Sequence, residues 1–147
     1  MDIESLREMV KSDIKIDETD LNSESLRTPQ LHNKYLVLYE NSKLELEKLQ
    51  FQEKVLKRDK WLYYTGKMGE DDLNRHKWEP FEYNILKTDI PMFLDSDADI
   101  QKIRAKYSLQ ESVVSYLEEV IKIITGRQWN IKSAIEWIKF TQGVWWI

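Results

Sequence analysis

The stretch LKRDKWLYYTGK, Leu56 to Lys67, places Arg58, Lys60, Trp61, Tyr63 and Tyr64 within seven consecutive positions of a chain whose net charge is −4. Lys54, Lys57 and Lys67 stand close by in sequence. Lysine and arginine neutralise phosphates, and flat rings stack on bases of any sequence, each stacked base being worth about 1–3 kcal/mol. These eight residues are therefore the candidate contacts to a single-stranded nucleic acid. The competing reading makes the rings a packed helix face and the cations a solvated one.

Other candidate chemistry fails on spacing. DSDADIQKIRAK, Asp95 to Lys106, begins like a calcium loop but has Ile100 where the turn needs glycine and Lys106 where a bidentate glutamate belongs. Asp97 and Asp99 are better placed to cap a helix. His32 and His76 lack partners at a metal-binding spacing and are expected on the surface or in packing. Gly66 and Gly69 in TGKMG do not form a phosphate loop of the Gly-x-x-x-x-Gly-Lys-Ser/Thr kind. The chain has no cysteine, hence no disulfide and no thiolate metal site. No enzymatic activity, metal or cofactor is expected.

The elements that must carry the basic cluster are helical. In 147 residues, 33% are charged and only 4 are glycine and 3 proline, a composition of exposed helices with few tight turns. Charge is polarised: residues 1–24 carry −5 and 70–99 carry −6, whereas 43–67 and 100–147 each carry +3. A low pI thus leaves room for a polyanion-binding face. The first residues carry acids where a signal peptide needs a basic start, and no stretch approaches the ~20 apolar residues of a membrane span, so a cytoplasmic location and no membrane partner are expected.

Residues 2–11 read as a short amphipathic helix through Ile3, Leu6, Met9 and Val10, followed by an acidic connector, Asp13 to Asp20. From about Pro29 to Tyr64 the spacing of Leu31, Tyr35, Leu38, Leu46, Leu49 and Leu56 predicts one long helix, or two with a break near Asn41–Ser42. Thr65 to Asn74 ends it as an expected mobile loop. Lys77 to Thr88 reads as one or two short strands, or an extended ordered segment. Ile100, Tyr107, Val114 and Ile121 form one heptad seam, and Ile103, Gln110, Leu117 and Ile124 a second. Gly126 is expected to stop that helix, and a last one, about Trp129 to Phe140, presents Ile131, Ala134, Ile135 and Ile138. With the Val144–Trp145–Trp146–Ile147 end, this argues for subunit association, the oligomerisation candidates being Ile100, Ile103, Tyr107, Val114, Leu117, Ile121, Ile124, Ile131, Ile135 and Ile138. The expected fold is mainly α, with residues 1–99 as the DNA-binding part and 100–147 as oligomerisation helices, or one single domain.

Three segments, in order, resemble the UvsY family, the recombination mediators of T-even-like tailed phages and their cyanophage-type relatives. Ile3, Glu4, Leu6 and KSDIKIDETDL (Lys11 to Leu21) are similar to the family's opening helix and connector. Arg58 and Lys60 stand one position apart before Tyr63, Tyr64, Thr65 and Gly66, as the family's basic pair stands before its Tyr-Tyr-Ser/Thr-Gly turn. GRQWNIKSAIEWIKF, Gly126 to Phe140, is similar to the family's C-terminal segment. Lys67 to Asp99 lies outside the resemblance. The resemblance implies a non-enzymatic protein that binds single-stranded DNA as a ring-like homo-oligomer, hexamer or heptamer. It further implies contacts with the phage single-strand binding protein and the phage RecA-like (UvsX-type) recombinase, which the mediator helps to load in recombination, repair and recombination-dependent replication. DNA contact falls on Arg58 and Lys60, and assembly on the C-terminal helices. The reading from another class is a helical scaffold without a DNA role.

Overall fold

A computed structural model describes residues 2–143. The chain is mainly α: α1 (Ile3–Asp13), α2 (Leu21–Tyr64), α3 (Glu70–His76), a 3-10 turn (Lys87–Asp89), α4 (Ile90–Asp95) and α5 (Ala98–Gln142). It divides into two compact units, residues 1–43 with 112–147, and residues 44–111. Both long helices thus contribute to each unit. No helix among the described residues is long and apolar enough to cross a membrane. The Val144–Ile147 end, assigned above to association, lies outside the described residues.

In the first unit, Asp2 caps α1 by accepting the Ser5 N–H at 2.7 Å, and Leu6 and Val10 face inward. They join Leu31 and Tyr35 of α2 and Leu117, Val120 and Ile124 of α5 in one buried cluster. The Asp13 carboxylate holds α1 to α2, accepting from Lys34 Nζ at 2.6 Å and the Tyr35 hydroxyl at 2.8 Å. Tyr39 donates to Glu118 at 3.1 Å and Ser25 to Gln128 at 3.3 Å, so α2 and α5 run antiparallel within this unit.

Two boundaries differ from the sequence reading, the start of α2 and the stop at Gly126, each for a packing reason. α2 begins at Leu21 and passes through Pro29. An interior proline costs about 3 kcal/mol. Here it lies on the exposed side, while Leu21, Thr28 and Leu31 around it are buried. Of the two alternatives for this stretch, one long helix holds, with no break at Asn41–Ser42. α5 also continues through Gly126, because its next residue, Arg127, is 2% exposed and donates to the Glu24 carbonyl, the Glu24 carboxylate and, at 2.8 Å, the Thr28 hydroxyl. That anchorage outweighs the glycine's propensity. A Cβ at Gly126 meets nothing within 4 Å, so Gly126→Ala is expected to stabilise the chain by about 0.5–1 kcal/mol, read as a raised urea midpoint at constant m-value.

Burial also corrects part of the assembly expectation. Leu117, Ile124 and Ile131 lie within the first unit and Ile100 within the second, all at most 2% exposed. These four are core of the single chain, with no surface to offer a partner. Ile103, Tyr107, Val114, Ile121, Ile135 and Ile138 are half-buried.

In the second unit, α2 stops at a glycine cap: Gly66 has φ 72°, and the Lys67 N–H reaches back to the Leu62 carbonyl at 2.9 Å. The expected mobile loop instead contains α3. Glu70, Asp71 and Asp72 fill its first turn, where carboxylates complement the helix dipole, and Arg75 and His76 its last. Lys77 takes the left-handed cap position (φ 59°), and Trp78 donates to the Leu73 carbonyl at 3.0 Å, turning the chain back. Residues 78–86 form an irregular segment; no strand occurs among the described residues.

Candidate nucleic-acid interface

The last four turns of α2 have distinct faces. Leu49, Glu53, Leu56, Lys60 and Tyr64 recur at threes and fours and point into the second unit. Lys54, Lys57, Arg58 and Trp61 follow the same spacing on the adjoining, solvent-facing flank, and all four are exposed. The basic cluster is therefore split between an inner and an outer face.

Lys60 belongs to the inner face. It is 5% exposed, with its ammonium 3.1 Å from Asp97 and 2.9 Å from Asp99, and it lies 4.0 Å from the centre of the Trp78 ring. This corrects the expectation that Lys60 meets phosphates, because its charge is consumed inside the unit. Asp97 in turn caps α5 by accepting the Asp99 and Ile100 N–H groups at 2.9 and 3.0 Å, as its position at the helix start predicts. The Tyr64 hydroxyl donates to its other oxygen at 2.6 Å.

Tyr63 and Tyr64 are corrected likewise. Tyr63 packs against Tyr64, Trp78 and Phe81, and donates to the Glu79 carbonyl at 2.6 Å; Tyr64 packs against Phe81 and Phe93. Both rings are half-buried and committed to this aromatic cluster rather than presented as free faces on the helix. The aromatic spacing of residues 78–93 was the available signal, and it lies in the segment outside the resemblance. His76 is a packing residue as expected, stacked on Trp78 at 4.2 Å and 3.5 Å from Asp59.

The outer face keeps its cations. Arg58, its side chain 67% exposed, is paired with its neighbour Asp59, at 3.0 Å. Lys57 lies 3.6 Å from Glu53, which Arg104 also holds at 2.7 Å; Lys54 sits over the Phe51 ring. Each pair joins an exposed cation to a carboxylate, Glu53 or Asp59, that is itself buried, so the cationic ends remain open to phosphate while the carboxylates stay in the unit. Trp61 is 39% exposed, and Lys67 lies 4.8 Å over its ring. The result is an exposed stripe of Lys54, Lys57, Arg58, Trp61 and Lys67. Among the described residues, no group of acids and histidines is arranged to hold a metal ion.

Burial raises the Asp97 pKa, and the Tyr64 hydroxyl, the Ile100 N–H and the Lys60 ammonium outweigh it, leaving it below the ordinary carboxylate value. A depressed folded-state pKa contributes stability that is complete above the unfolded value, about 3.9, and is lost as pH falls through the folded value. Urea midpoints measured downward from pH 6 should therefore fall more steeply below pH 4 for the native chain than for Asp97→Asn.

A family model described as "Recombination, repair and ssDNA binding protein UvsY" matches residues 9–144. The chain is 24% identical over 143 residues to the recombination protein uvsY of Enterobacteria phage T4, covering 97% of this chain and 99% of that protein. Crystal structures of the bacteriophage T4 recombination mediator protein UvsY share the fold. Lattice type IV superposes with a TM-score of 0.83 at 23% identity, covering 95% of this chain and 99% of that one. Lattice type II gives 0.80 at 24%, covering 97% and 98%.

Proposed function

Because the chain belongs to the UvsY family of phage recombination proteins, we propose that it is a non-enzymatic recombination mediator. In this reading it binds single-stranded DNA as a ring-like homo-oligomer, helps the phage RecA-like recombinase to load, and displaces the phage single-strand binding protein in the host cytoplasm. The observation that carries the reading is the exposed stripe Lys54, Lys57, Arg58, Trp61 and Lys67. It combines phosphate-neutralising charge with a ring for a base and makes no demand on sequence.

Assembly multiplies that weak patch. Once one subunit holds the strand, the next patch acts at high effective concentration, so modest contacts together compete with a tightly bound resident protein. The surface that supports assembly is the C-terminal part of α5, where Trp129, Trp137 and Phe140 are 70%, 65% and 66% exposed, beside half-buried Ile135 and Ile138. Large exposed rings in one helical segment mark an interaction surface.

The test is recombinase filament formation on single-stranded DNA precoated with the phage binding protein. Adding this chain should shorten the lag before filaments grow and release the binding protein. A chain that assembles but leaves both unchanged would return the reading to a helical scaffold.

A further inference from the structure

Beside the stripe, within the same unit, lies a cleft of about 580 Å³ walled by Trp61, Phe81 and Tyr83 and bordered by Lys67, Lys87 and Asn84. Its volume falls within the ~300–1,000 Å³ of small-molecule sites. We propose that this cleft is a subsite for one unstacked nucleobase of the bound strand, a deepening that rests on the single-stranded-DNA reading above.

The chemistry of the walls selects such an occupant. Four ring systems meet there, Tyr64 being the fourth, and two of them present large surface: Trp61 is 39% exposed and Tyr83 76%. Tyr83 is held against Phe81, at 5.6 Å between centroids, so its ring stands on a packed aromatic base. A planar base gains from stacking on such faces. The Asn84 amide offers both donors and an acceptor for a base edge. Lys67 and Lys87 place positive charge at the border, and no carboxylate is among the lining residues. An acidic or purely aliphatic ligand would leave either the rings or the cations unused; a base carried on a phosphodiester chain uses both. The cations of the stripe then hold the backbone that delivers the base.

The experiment compares the full-length chain on two fluorescent single-stranded oligonucleotides of equal length, one normal and one with abasic sites along its centre, across a salt series. Equal phosphate number makes the bases the only difference. The normal strand should bind at least about fivefold more tightly, the low end of one stacked base. Tyr83→Ala should remove most of that preference without altering the salt slope, and Tyr83→Phe, which keeps the ring, should retain it. Equal, salt-steep binding of both strands by the native chain would overturn the subsite and leave the single-stranded-DNA reading standing. An unchanged preference in Tyr83→Ala would do the same. Failure to bind either strand would overturn both.

Discussion

Lys60→Ala is expected to lower the unfolding free energy by about 3 kcal/mol, measured by urea denaturation. Removing one partner of a buried ion pair typically costs ~3–5 kcal/mol, because the other charge stays buried without compensation. The low end applies here because Asp97 keeps the Tyr64 hydroxyl and two backbone N–H groups, and the Asp99 side chain is 54% exposed. The substitution also withdraws the ammonium from the Trp78 ring. Since Trp78 packs on Tyr63 and His76, the damage reaches α3 and the end of α2. Any loss of DNA affinity in this variant follows from the distorted unit, and lowering the temperature should recover part of it. A stable Lys60→Ala chain with weakened DNA binding would place Lys60 on the DNA after all.

The outer face should respond in the opposite way. Lys54→Ala, Lys57→Ala and Arg58→Ala combined are expected to lower the urea midpoint less than Lys60→Ala does, because all three cations are themselves exposed, Glu53 keeps Arg104 and the buried Asp59 keeps His76 at 3.5 Å. Single-stranded DNA affinity should fall steeply. For single strands the observed constant varies with salt to the power of about −0.7 per phosphate, so each contact is worth about fivefold at 0.1 M relative to 1 M salt. Three contacts make about a hundredfold, read by fluorescence anisotropy. The two variants together separate structural cations from binding ones, which proximity in sequence does not.

The helical class, the cap at Asp97 and the glycine stop after Tyr64 were legible in the sequence because each is a local signal. A carboxylate before an apolar repeat and a glycine after one act through the backbone beside them. Gly126 misled because its effect is local and small, while Arg127 reaches Glu24 and Thr28 about a hundred residues away in sequence. The heptad in α5 was read correctly as an apolar stripe, but periodicity does not say whether the covering surface comes from another subunit or from the same chain. For Leu117 and Ile124 it comes from α1 and α2. Lys60 illustrates the same limit for charge: its acidic partners lie more than thirty residues on, and the turn through Lys77 and the aromatic packing of residues 78–93 bring them together.

The central claim is that the outer stripe of α2 neutralises phosphates of single-stranded DNA. Its most direct test is a salt titration of binding to a fluorescent single-stranded oligonucleotide and to the matching duplex, for the native chain and the Lys54, Lys57 and Arg58 triple alanine variant. The account predicts preference for the single strand and a log–log slope shallower by about 2 in the variant, ~0.7 for each lost contact. Parallel lines for the two proteins would contradict it.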